Sequence, residues 1–226
     1  FGSSKTSTPE PSRAHIAGAM RSWSLVLSAL LHCVVGSPAA RCSPSSPPTW
    51  PVRFKVLQRK SPNGVESECK SGGCSDVVTY YDWERQANLI VDRPDGAKEE
   101  DALWDLELGN HSSYYIHKGA QTCKYIHFPV GILRPDWLSD ANYTGKSVVN
   151  GRTVYGWTKV DFIDYYADVS DCTPVRWRFH TMQATFDTTS FLEGEAVPDE
   201  SYFTPPPYCH SQNRHAESTA QERIVV

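Results

Sequence analysis

Methionine occurs only twice in the 226 residues, whereas aromatic residues make up 12% of them. That balance argues against a helical bundle and for a β-rich protein. Neither sign of charge dominates: 22 Lys and Arg face 26 Asp and Glu, a net of −4. A nucleic-acid partner is therefore not expected. There is no Gly-rich phosphate loop, no Gly-x-Ser-x-Gly elbow and no His-Glu-x-x-His pair, so the common hydrolase, nucleotide and zinc-protease signatures are missing. Strands and helices do not alternate, which removes the usual setting for nucleotide-sugar transfer. His117 and His127 lack a third nearby ligand, so no metal site is expected. No cofactor is expected either.

Only one stretch is strongly apolar. Residues 1–40 read as an upstream extension and a secretory signal, with the start at Met20, Arg21 as the basic region and Trp23 to Val35 as the apolar core. The run is too short to span a bilayer, and small residues follow it, with cleavage expected after Ala39. No integral membrane segment is expected once the signal is removed. Residues 41–51 read as a Pro/Ser linker, 52–209 as a single antiparallel β domain and 210–226 as a disordered tail.

Export changes the reading of the cysteines. Cys33 would leave with the signal, while Cys42, Cys69, Cys74, Cys123, Cys172 and Cys209 remain and are expected as disulfides. Cys69 and Cys74 bracket glycines and suit a local loop; the other pairings are open. Asn110-His111-Ser112 and Asn142-Tyr143-Thr144 are glycosylation sequons.

Strands are expected over Val52–Gln58, Val77–Trp83, Ala87–Asp92, Leu103–Leu108, Tyr114–His117, Thr153–Tyr166, Pro174–Phe179 and Thr185–Phe191, with a hairpin turn at Asn150-Gly151. In Pro174–Phe179, Val175, Trp177 and Phe179 are expected on one face. Short loops between successive strands predict a mainly β (α+β) fold, a curved antiparallel sheet or open half-barrel with one or two short helical segments.

The densest chemistry lies at Thr122–Leu138, where a strand is ended by Pro129 and followed by Gly131, Arg134 and Trp137. Aromatics recur along the neighbouring strands. A curved sheet stacking them would form an apolar pocket, with Phe128, Arg134, Trp137, Trp157, Asp161, Tyr165 and Trp177 as the expected ligand-binding residues. Arg134 would lie beside Trp137, oriented by Asp161, its guanidinium free for a head group. The expected partner is an apolar small molecule or lipid, and a homodimer is admitted. The competing reading is a carbohydrate-active or glycosyltransferase-like enzyme using Asp82, Asp161 or Asp164; a third is an extracellular matrix or adhesion module.

The block Cys123 to Leu138, with Lys159–Val169, Pro174–Phe179 and Pro206–Cys209, resembles the signature of a family of secreted plant and algal proteins. Some members of that family carry a label as transferases of glycosyl groups. The likeness covers roughly Trp50 to Cys209. Pro174-Val175-Arg176, Phe191, Gly194 and Pro207-Tyr208-Cys209 more remotely resemble ependymin-related proteins, which implies a curved antiparallel fold shared with bacterial lipoprotein carriers and an apolar ligand.

Overall fold

The computed structural model describes residues 42–62, 69, 73–159, 162–194 and 199–209. The signal-like stretch, the tail and Asp161 lie outside the described residues. Eleven strands form one antiparallel sheet: β1 (Arg53–Pro62), β2 (Ser75–Asp82), β3 (Ala87–Pro94), β4 (Leu103–Leu108), β5 (Ser112–His117), β6 (Thr122–His127), β7 (Asn142–Val149), β8 (Arg152–Lys159), β9 (Ile163–Asp168), β10 (Pro174–Phe179) and β11 (Ala184–Glu193). Their order is β6-β5-β4-β3-β2-β1-β11-β10-β9-β8-β7. The chain is thus a meander whose first and last strands pair, and β6 and β7 are left as its two edges. The expected open antiparallel sheet is what forms.

Sequence and structure part company in several places, and a strand, β7, forms over Asn142–Val149 where none was expected. The strand expected over Thr153–Tyr166 is two strands, β8 and β9, joined by a turn closed by Phe162 N–H donating to the Lys159 carbonyl. Val175 does not share a face with Trp177, because a bulge between Pro174 and Arg176 shifts the register. Val175 joins Val149 and Val154, while Trp177 joins the main core. His117 and His127 sit opposite Thr122 and Ser112, at opposite ends of the β5–β6 pair. They do not meet; His127 lies beside His111.

The sheet curls around Trp50. Its ring is 5.4 Å from Tyr81 on β2 and 6.5 Å from Tyr165 on β9. Those strands are four places apart in the sheet. A flat sheet would separate them by roughly 19 Å, more than the two ring distances together. The Pro/Ser run is therefore no free tether: it carries Trp50 into the core, and Cys42 is disulfide-bonded to Cys172.

The connector between β6 and β7 crosses this same concave side. Trp50 N–H donates to the Pro135 carbonyl at 2.8 Å, and Tyr81 Oη donates to the Leu133 carbonyl at 2.8 Å. Trp137 and Leu138 complete the cluster with Phe54, Trp157, Tyr165 and Trp177. Lys159 ties the connector down through the Trp137 carbonyl and Asp140.

On the β3–β6 half the cover changes sides. Leu89, Trp104, Leu106 and Ile116 point to the convex face and pack under Tyr202, Phe203 and Tyr208. The Cys123–Cys209 disulfide fastens that C-terminal segment, and Cys69–Cys74 closes a local loop. Among the described residues no helix is long and apolar enough to cross a membrane.

Candidate functional site

The aromatic residues singled out by sequence lie in the protein's own packing. Trp157 is 1% exposed, Tyr165 1% and Trp177 6%. Trp137 is 6% exposed and edge-on to both Trp50 and Tyr165. Trp50 Nε1–H donates to Tyr165 Oη at 3.1 Å, and burial raises the Tyr165 hydroxyl pKa well above its usual range. Trp50 and Trp137 thus occupy the apolar hollow that the strands create. Trp157, Tyr165 and Trp177 are buried in this packing together with the connector's Trp137 and Leu138.

Arg134 points outward, its side chain 69% exposed, and pairs with Asp136 at 2.8 Å. Phe128 is exposed beyond the end of β6. Of the carboxylates considered for catalysis, Asp82 and Asp164 serve as pins. Asp82 caps a turn by accepting from Arg85 N–H at 3.0 Å. Asp164 is 3.0 Å from His180 Nε2.

A different part of the concave face carries unspent polar chemistry. Tyr81 faces the interior, and its register partner on β3 is Asn88. Asn88 in turn lies opposite Glu107 on β4, with Ile90 opposite Asp105 in the next row of the same face. Asp105 and Glu107 then face Tyr115 and Ser113 on β5. The sheet therefore sets Asn88, Asp105, Glu107, Ser113 and Tyr115 side by side on its inner surface, against the aromatic core through Ile90.

The electrostatics there are unusual. Burial, aided by the neighbouring Glu107 charge, pushes the Asp105 pKa up to about 7. Burial also raises Glu107, although a 2.8 Å hydrogen bond from Asn88 Nδ2 offsets part of that effect. Burial and then both carboxylates raise Tyr115. Among the described residues, Asp105 Oδ1 and Asn88 Oδ1 are buried with no hydrogen-bond partner. Gln58, 3% exposed on the inner face of β1, leaves its Oε1 in the same condition. Buried acceptors without donors are costly, so this surface suits a ligand that donates hydrogen bonds or carries positive charge. Tyr115 is 38% exposed at its margin, so the row is reachable from solvent.

Sequence reasoning missed this row because Asp105 and Glu107 alternate with Trp104 and Leu106, the usual look of a strand with a solvated outer face. Here the apolar side is the convex one, buried by the C-terminal segment, and the carboxylates face inward. The visible signal was two carboxylates two residues apart on a strand, with an asparagine opposite. Among the described residues, no three His, Cys, Asp or Glu side chains gather as a metal group.

Residues 49–209 match the family described as "Domain of unknown function (DUF8395)". No curated protein matches the chain. A solved structure described as an uncharacterized conserved protein from Thermus thermophilus is similar at 8% identity with a TM-score of 0.44, over 69% of this chain and 86% of that one.

Proposed function

We propose that this chain, which belongs to the DUF8395 family of domains of unknown function, is an exported binding protein for an apolar or lipid-like ligand. The ligand's body lies along the inner face beside Ile90 and the aromatic core, and its donor-bearing end meets Asp105, Glu107, Asn88 and Tyr115. The observation that carries this reading is the Asp105 carboxylate, buried on the concave face with an unpartnered oxygen beside an open margin at Tyr115. Three disulfides, the signal-like N-terminus and the sequons support the export half. The resemblance to ependymin-related proteins points to the same ligand class. Native mass spectrometry of protein secreted by a eukaryotic host tests the reading: a co-purifying amphiphile that Asp105→Asn no longer retains supports it. Ligand-free protein that also takes up no added amphiphile contradicts it.

A carbohydrate-active role has one observation of its own. A carboxyl held protonated to about pH 7 beside a second carboxylate is what acid catalysis on a glycoside requires. Under that reading, glycan turnover is detectable and Asp105→Asn abolishes it.

A further inference from the structure

An open sheet must protect its edges, because an unpaired strand offers its N–H and C=O groups to any other strand. The two edges here are unequally guarded. β6 has Lys124, and the Cys123–Cys209 disulfide binds it to the C-terminal segment. β7, Asn142–Val149, has fewer defences. Seven of its eight residues are exposed or half-buried, Val148 is 70% exposed, Tyr143 is 38% exposed, and the only charge along it is Lys146. A bulge between Tyr143 and Gly145 disturbs only its first half. The first residue of the strand is Asn142, exposed and followed by Tyr143 and Thr144.

We propose that Asn142 carries an N-linked glycan, and that this glycan guards the open β7 edge against pairing with a second copy of the chain. The inference rests on the export reading above. A glycan at the head of β7 stands at an edge whose outer backbone groups no strand pairs among the described residues. At the other sequon, Asn110 sits in the turn between β4 and β5 and not on an edge strand, and its Oδ1 accepts from Ser112 N–H at 3.1 Å. The tyrosine between Asn142 and Thr144 turns to the opposite face of the strand and packs against Tyr155 and Trp157, which leaves Asn142 on the other face.

The test uses the full chain produced in a eukaryotic secretory host, with glycopeptide mapping and light scattering behind size exclusion. The expected result is exported protein with Asn142 occupied, eluting as a monomer. Asn142→Gln is expected to shift it to dimers or larger species, and adding Val148→Lys to that variant is expected to restore the monomer. Asn110→Gln is expected to leave elution unchanged. If Asn142→Gln fails to fold, enzymatic removal of the glycan from the folded wild-type protein reads the same shift. Exported protein with Asn142 bare overturns the site; an occupied Asn142 whose removal leaves a monomer overturns the guarding role. Protein that never enters the secretory pathway overturns the export reading and the glycan with it.

Discussion

Asn88 donates its side-chain amide to Glu107 at 2.8 Å across the β3–β4 pair, while among the described residues Asp105, two residues along the same strand, has no donor for its buried Oδ1. One carboxylate of the pair is satisfied by the protein; the other is held in a state that a ligand can improve. The asymmetry is a consequence of register, since Asp105 faces Ile90 where Glu107 faces Asn88.

That asymmetry predicts how stability depends on pH. The Asp105 pKa is raised from 3.8 to about 7 by burial and by Glu107. The folded state therefore holds a proton that the unfolded chain has already lost, and stability falls as pH climbs from about 4 towards 7. Asp105→Asn removes the penalty. It is expected to raise stability at pH 8 by up to about 4 kcal/mol, and to change little at pH 4. Urea unfolding at both values checks the sign; equal effects at the two pH values would place the carboxylate in water.

Trp137 and Arg134 are neighbours in sequence with opposite fates. Trp137→Ala opens a hole between Trp50 and Tyr165 and is expected to cost about 3–5 kcal/mol. Arg134→Gln removes an exposed pair with Asp136 and is expected to stay within about 0.5 kcal/mol. Thermal unfolding of both variants separates the plug role of the connector from a role for its surface charge.

The disulfide that holds the C-terminal segment has a local readout. Cys209→Ser is expected to cost about 2–5 kcal/mol and to release Tyr202, Phe203 and Tyr208 from Trp104 and Leu106. Hydrogen exchange is expected to rise in β4 and β5 before β9 and β10. Uniform loss of protection would mean that the segment is not a separable cover.

Strand alternation made most of the fold legible, since Val77–Trp83, Leu103–Leu108 and Pro174–Phe179 show it openly, and Asn150-Gly151 announces its turn with φ of 50° and 75°. The β8–β9 turn was invisible because its flanks run on in β-forming residues without a glycine. Gln86, Gln121 and Gln183 take positive φ at other turns, a conformation that glutamine does not advertise. The site was hidden for a different reason. Alternation tells which residues share a face, but which face is covered depended on distant pieces, Trp50 with the connector on one side and Tyr202 with Phe203 on the other. Aromatic abundance suggested a pocket wall, and these rings in fact fill the space they enclose.

Calorimetric titration of the purified protein at pH 8 with dodecylamine, dodecanol and dodecanoate, all below their micellar concentrations, tests the binding site most directly. The inner-face carboxylates predict saturable one-to-one binding of the amine and the alcohol, with dodecanoate weaker by about tenfold or more. The preference for the amine should disappear in the Asp105→Asn, Glu107→Gln double variant. Binding of dodecanoate as tight as that of dodecylamine, or no saturable binding of any of the three, would contradict a ligand site on the inner face.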